Sequence, residues 1–279
     1  MQKPASQSVV TDPPVPRPPG AGDGRFQGLA DAFSSVMLPV GLALVVLVAW
    51  EVIVRWAKFP EAILPPPSAI FDQLVQHHRL LLKHALPTTL ETLLAFGISI
   101  PLGVLLATVM TWSPILNKAM YPNVILFQLI PKIALAPLFI VWLGIGMPSR
   151  VTFSVFISFF PILVATAAGL QSLPRDMLRL CRSLGASDWQ ILASVRFPSA
   201  LPYLFTGMKV AVTLAIIGVV VGEFIASQEG LGYLILFASS RQQTDLSLAC
   251  IVVLCVVGLA LYGLVVLSER ILLNWFGDQ

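Results

Sequence analysis

The sequence predicts an all-α polytopic membrane protein with six transmembrane helices. Hydrophobic residues make up 57% of the 279 residues, charged residues only 11%, and the mean hydropathy is +0.86. These values lie outside the range of soluble globular domains, and apolar stretches of about 20 residues, long enough to cross a hydrocarbon core of ~30 Å, recur along the chain. The formal net charge of +3 is small and the basic residues are spread among loops, so no nucleic-acid-binding surface is predicted.

The chain begins with a segment rich in proline and glycine. We expect residues 1–33 to be a disordered cytoplasmic tail, because this composition cannot bury enough apolar surface to fold alone. A docking segment is the alternative for this tail. Residues 34–279 form the predicted transmembrane domain, with a first span near residues 35–55. A run of three prolines then ends any continuing helix, and a short amphipathic helix is predicted over residues 69–83.

The next three spans are predicted near residues 88–111, 119–143 and 151–170. The first of these contains small residues, some of them four apart, which is the spacing that lets helices approach closely in lipid. These small residues are Gly97, Ser99, Gly103 and Ala107. The sequence therefore predicts tight packing of this span against a neighbouring helix.

The third span carries Lys132 between Pro131 and Pro137. A lysine at mid-depth costs about 2.5 to 3.5 kcal/mol on insertion scales, so its side chain should face protein or water and not lipid. We therefore predict that this span lines a translocation path, with Gln128 and Lys132 as candidate lining residues. The alternative is that Lys132 snorkels to the interface or pairs with an acidic group for packing.

The last two spans are predicted near residues 205–226 and 246–268. Glu223 lies near the outer end of the first of them, before a glycine-containing turn. Lys132 and Glu223 look like the most buried charges of opposite sign, so we predict that both face the translocation path or pair across it. Structural pairing elsewhere in the bundle is the alternative.

Lysine and arginine counts predict the orientation of the chain. Six crossings place both termini on one side of the membrane, and ten Lys and Arg residues fall on that side against six on the other. Because positive residues favour the cytoplasmic face, both termini and the loop between the fourth and fifth spans are assigned to the cytoplasm.

That loop, residues 172–211, is basic and is predicted to hold two short helices, over about 172–200, joined by a turn at Gly185. Ser187 followed by Gln190 makes the capping-box pattern that starts the second helix. An apolar ridge on one face of that helix consists of Trp189, Leu192 and Val195. A knob of this kind either lies in the lipid interface or docks into a groove on a partner protein.

The loop also resembles the cytoplasmic signature of bacterial binding-protein-dependent ABC importer permeases. The family pattern is Glu-Ala-Ala, three residues, Gly, and later Pro-x-x-x-Pro. Gly185 falls on the family's glycine, while Pro198, predicted to stop the second helix, and Pro202 fall on its later prolines. The Glu-Ala-Ala positions are here Arg179, Leu180 and Cys181, so the family's acidic residue, and any salt bridge from it, is missing.

Two further segments, residues 64–70 and 130–146, resemble the nitrate, sulfonate and taurine subfamily of type I importers. The resemblance implies the MetI-like permease fold and the role of the transmembrane subunit of an ATP-driven importer. The implied cargo is a small solute such as nitrate, a sulfonate, taurine or a related anionic or heterocyclic compound. A secondary active transporter without an ATPase partner is the alternative, but the spans show no clear coupling residue apart from Lys132.

The resemblance also implies partners. These are a second permease copy, two ABC ATPase subunits and an extracytoplasmic solute-binding protein, assembled in the bacterial inner membrane. The residues implied to contact the ATPase are Gly185, Ala186, Ser187, Asp188 and Trp189. The chain contains no G-x-x-x-x-G-K-[ST] loop, so we expect ATP and Mg²⁺ on the partner ATPase, no cofactor or metal on this chain, and no enzymatic activity of its own.

Overall fold

The computed structural model describes residues 24–277, with side chains described for residues 37–274. Most of the predicted tail, residues 1–23, lies outside this range, and the first helix already includes residues 24–33. The described chain consists of helices and helical turns: α1 (Gly24–Ala57), α2 (Pro67–Gln76), α3 (His78–Trp112), α4 (Pro114–Leu129), α5 (Ala136–Leu143), α6 (Met147–Gln171), α7 (Arg175–Ser183), α8 (Asp188–Ile191), α9 (Phe197–Ala226), α10 (Leu231–Ser240) and α11 (Thr244–Gly277).

Within residues 24–277, five helical segments are long and apolar enough to cross a membrane, or six if a bent pair counts as one span. The five are Met37–Ala57, α3, α6, the run Asp188–Ala226 and α11. The bent pair is α4 with the segment Lys132–Leu143, which turn by 83° relative to each other. The predicted all-α fold is confirmed, and the third span is broken at the prolines.

The break in the third span follows from local backbone chemistry. Ile130 precedes a proline, and its φ of −65° and ψ of 133° are extended and not helical. Pro131 has no N–H to continue the helix, and the chain resumes with a 3₁₀ turn over Lys132–Leu135. The polar side chain of Lys132 therefore lies at an interruption of the span and not on a continuous helix.

Two predicted boundaries are wrong. The amphipathic helix ends at Gln76, and residues 78–83 already belong to the long helix α3. Pro198 does not stop the second loop helix, because α8 continues through a π-helical turn, Leu192–Arg196, into α9. The π-helical turn shifts the backbone hydrogen-bond pattern just before Pro198, so the helical run continues although Pro198 has no N–H to donate.

Helix α6 lies at the centre of the bundle and packs mainly against α9 and α3. The prediction of close packing for α3 is confirmed at Ser99, Gly103 and Ala107, which are spaced four residues apart and buried. Ser99 and Ser158 share a 2.6 Å hydrogen bond across this contact. Gly97 is exposed, with no atom within 4 Å of a Cβ built on it, because it is out of register with these three residues.

The contact between α6 and α9 depends on glycine at position 218. A Cβ added to Gly218 would lie 2.7 Å from the Cα of Ser154, whereas a Cβ on Gly258 would meet only the end of the Ile216 side chain at 3.4 Å. We expect Gly218→Ala to lower the free energy of unfolding by about 1–3 kcal/mol, since the backbones must separate. The matched control Gly258→Ala should leave the melting temperature nearly unchanged, and equal shifts for the two variants would contradict the packing described here.

Candidate coupling surface and translocation groove

Helices α7 and α8 meet at a sharp turn centred on Gly185. Gly185 has a φ of +81°, a conformation that glycine adopts without steric cost. The predicted capping box is confirmed: Gln190 N–H donates to Ser187 Oγ at 3.3 Å, and Ser187 N–H donates to Gln190 Oε1 at 2.8 Å. This reciprocal pair gives the turn and the start of α8 a defined shape.

The five predicted coupling residues form one surface, which we call the candidate coupling surface, residues 185–189. Four of them are exposed and Ala186 is half-buried. The Trp189 side chain is 65% exposed, and its ring lies 6.4 Å from that of Trp112 at the end of α3. Leu192 and Val195 are half-buried, so Trp189 is the most exposed of the three residues of the predicted apolar ridge.

The candidate coupling surface is joined directly to the membrane bundle. Helix α8 leads through the π-helical turn into α9, so residues 188–226 form one continuous helical run. Helix α9 then packs along α6 and reaches Glu223 near its far end. A displacement of α8 would therefore be carried along α9 to the opposite side of the bundle.

A groove of about 420 Å³ lies beside the break between α4 and α5, and we call it the candidate translocation groove. Gln128 and Lys132, the two predicted path residues of this segment, both line it. Lys132 is half-buried, and its Nζ lies 4.4 Å from the centre of the Phe160 ring. The remaining lining residues are Pro161, Val164, Ala165, Ala168, Thr206, Gly207 and Val210.

Glu223 lies elsewhere, in the protein interior. Its side chain is 1% exposed, and its carboxylate accepts hydrogen bonds from Thr88 Oγ1 at 2.7 Å and from the Gly232 N–H at 2.6 Å. Neither Lys132 nor Glu223 takes part in the ion pairs found among the described residues. The break at the prolines turns Lys132 into the groove, while Glu223 faces α3 and the start of α10.

The glycine-containing turn after α9 is held through the N-terminus of α10. Gly230 N–H donates to His84 Nδ1 at 3.2 Å, and Leu231 N–H donates to Thr88 Oγ1 at 2.8 Å. Together with the bond from Gly232 to Glu223, these contacts satisfy three successive N–H groups that a helix start leaves without partners. The turn is thereby tied to both α3 and α9.

Glu223→Leu should loosen this turn. The substitution leaves the buried Gly232 N–H without its acceptor, at a cost of about 1–3 kcal/mol. We expect faster amide hydrogen exchange in residues 229–236, measured by mass spectrometry, and a smaller effect for Glu223→Gln, which keeps an acceptor oxygen. Glu269→Gln, which alters the distant Lys209–Glu269 pair, is the control; the account fails if exchange in this segment rises equally in all three variants.

The sequence reasoning missed a buried ion pair between Glu91 and Arg150. The two side chains are 4% and 5% exposed, Arg150 Nε donates to Glu91 Oε2 at 2.8 Å, and Arg150 Nη2 pairs with Glu91 Oε1. Lys132, predicted to be the most buried cation, is only half-buried, and Arg150 takes that place. In the sequence, Glu91 lies near the start of the second predicted span and Arg150 just before the fourth, so the two opposite charges are predicted at the same face of the membrane.

The candidate coupling surface and the groove lie in a region that matches a known protein family. Residues 99–273 match the model of the binding-protein-dependent transport system inner membrane component. The chain belongs to this family. It is the permease subunit of an ABC importer, and the matched region contains both the candidate coupling surface and the candidate translocation groove.

Relatives of this ABC permease resemble it over most of their length. The formylaminopyrimidine transport permease ThiX of Halalkalibacterium halodurans is 36% identical, covering 86% of this chain and 96% of the relative. The taurine transport permease TauC of Escherichia coli is 29% identical, covering 87% and 91%. A crystal structure of an amino acid ABC transporter matches with a TM-score of 0.56 at 20% identity, covering 71% of this chain and 96% of that chain, which supports the fold.

Proposed function

We propose that this permease forms one half of a translocation path in the bacterial inner membrane, with both termini in the cytoplasm. A second copy supplies the other half, two ABC ATPase subunits bind the candidate coupling surfaces, and an extracytoplasmic binding protein delivers the solute. ATP and Mg²⁺ are held by the ATPase, since this chain has no phosphate-binding loop of the G-x-x-x-x-G-K-[ST] type.

The observation that carries this proposal is the continuity between the candidate coupling surface and α9. An exposed tryptophan lies on a short capped helix, and that helix continues through a π-helical turn into a membrane span. A helical connection of this kind suits the transfer of movement from a docked partner, because a helix resists bending more than a loop does. The half-buried Ala186 and the turn at Gly185 hold the surface in one shape.

The proposed cargo is a small anionic or heterocyclic solute, in the class of nitrate, sulfonates, taurine and related compounds. The names of the relatives support this class, since ThiX is named for a pyrimidine and TauC for a sulfonate. The groove supports it as well, because a cation and an aromatic ring lie next to each other in its lining. Selection among such solutes is assigned chiefly to the binding protein.

Uptake into proteoliposomes tests the proposal. The permease is reconstituted with the ATPase and binding protein that copurify with it, and the ligand of the binding protein is identified by mass spectrometry. We expect uptake of that ligand only when ATP, the ATPase and the binding protein are all present. Uptake driven by an ion gradient without the ATPase would overturn the proposal in favour of a secondary transporter.

A further inference from the structure

We propose that Lys132 is a specificity-determining residue of the candidate translocation groove, and that it selects small organic anions carrying a sulfonate or carboxylate group. This inference rests on the proposed function, because it takes the groove to be part of the translocation path. It adds a selection step within the membrane to the selection made by the binding protein.

The charge of Lys132 has no carboxylate partner among the described residues. The ion pairs of the described chain do not include Lys132. The buried carboxylates of the described helices already have partners, since Glu91 pairs with Arg150 and Glu223 binds Thr88 and Gly232. An unpaired lysine at membrane depth is energetically unfavourable, and an anionic solute in the groove would offset part of that cost.

The ammonium group of Lys132 is held in position by the Phe160 ring. Its Nζ lies over the Phe160 ring at 4.4 Å, within the range of a cation–π contact. Phe160 is only 4% exposed and is fixed by rings around it, with centres 4.1 Å away for Phe159 and 5.7 Å away for Phe156. The Lys132 ammonium group is therefore held at the lining of the groove.

The Lys132 ammonium group still has N–H donors that can bind a ligand. A lysine ammonium has three N–H donors, and the ring occupies one side of it. Gln128, four residues before Lys132 and on the other side of the break, adds an exposed amide to the same lining. A sulfonate or carboxylate can accept from both groups.

The volume and the mostly apolar lining of the groove fit a small organic anion. The groove of about 420 Å³ lies in the range of small-molecule sites, and small side chains make much of its lining. Gly207 cannot carry a larger side chain, since a Cβ there would lie 2.8 Å from the Pro161 carbonyl oxygen. Apart from Gln128, Lys132 and Thr206, the lining is apolar, which favours an organic body on the anion over a fully hydrated inorganic ion.

Fluorine NMR on the purified permease–ATPase complex tests the proposal. The probe is 4-fluorobenzenesulfonate, and its neutral analogue is 4-fluorobenzenesulfonamide. We expect the parent to bind the sulfonate more tightly than the sulfonamide, and Lys132→Met to weaken sulfonate binding roughly 10- to 100-fold, the loss of one charge-assisted hydrogen bond. Lys132→Arg should retain most of the binding, and binding of the sulfonamide should not change.

The matched control is Lys118→Met, which removes an exposed lysine of α4 that does not line the groove. Equal sulfonate affinity in Lys132→Met and the parent overturns the proposal, as does a parent that binds sulfonate and sulfonamide equally. The second comparison needs no variant, so it decides the question even if Lys132→Met fails to fold. ATP-dependent uptake measured on the same preparations separates this outcome from failure of the proposed function.

Discussion

Replacing Arg150 with methionine is expected to destabilise the permease by about 3–5 kcal/mol, because the substitution leaves the buried carboxylate of Glu91 without its partner. Glu91 is 3% exposed and cannot reach water without opening the contact between α3 and α6. Gly222 packs against the aliphatic part of Arg150, where a Cβ would lie 2.9 Å from Arg150 Cγ. Methionine retains an unbranched apolar side chain there, so the loss of stability reports the missing charge and not a change in packing.

The double variant Glu91→Met/Arg150→Met provides the control for this prediction. It removes both charges, and replacing a buried ion pair with apolar residues is commonly neutral or stabilising. Unfolding in mixed micelles should therefore show that the double variant recovers most of the stability that the single variant loses. A double variant as unstable as Arg150→Met would show that the pair acts through shape and not through charge compensation.

Trp189→Ala is expected to reduce ATP-dependent uptake by roughly tenfold or more, because truncation of a hot-spot residue, a class enriched in tryptophan, costs about 2 kcal/mol or more of binding free energy. The Trp189 ring is 65% exposed and contacts only the Trp112 ring among the described aromatic pairs, so its removal should not unfold the chain. Copurification of the ATPase with the permease and uptake into proteoliposomes measure the two consequences separately.

Trp56→Ala is the matched control for Trp189→Ala. Trp56 is 85% exposed but lies at the end of α1, outside the loop between α6 and α9. We expect this variant to copurify with the ATPase and to transport as the parent does. Equal losses in the two tryptophan variants would assign the effect of Trp189 to its membrane or solvent contact and not to ATPase binding.

Much of the fold could be predicted because the membrane imposes a length and a composition on each span. The break at Lys132 was also readable, since Pro131 removes an N–H and Pro137 follows five residues after Lys132. The turn at Gly185 and the cap at Ser187 depend on residues within a few positions of each other. Local chemistry of this kind can be read without knowing which helices are neighbours.

Features that depend on helix neighbours could not be read in the same way. The Glu91–Arg150 pair joins residues 59 positions apart, and it forms because α3 and α6 pack together. Glu223 was placed with Lys132 on charge alone, whereas the structure directs it towards Thr88, 135 positions away. Pro198 locally indicates a helix end, but the π-helical turn before it lets the helical run continue.

Crosslinking from position 189 tests most directly whether the candidate coupling surface receives the ATPase. Benzoylphenylalanine is placed in the intact complex either at position 189 or, as the control, at position 56, and adducts are identified after illumination by mass spectrometry. We expect an adduct between the permease and the ATPase subunit from position 189 and no ATPase adduct from position 56. Adducts from position 189 to lipid alone, with no ATPase adduct, would contradict it.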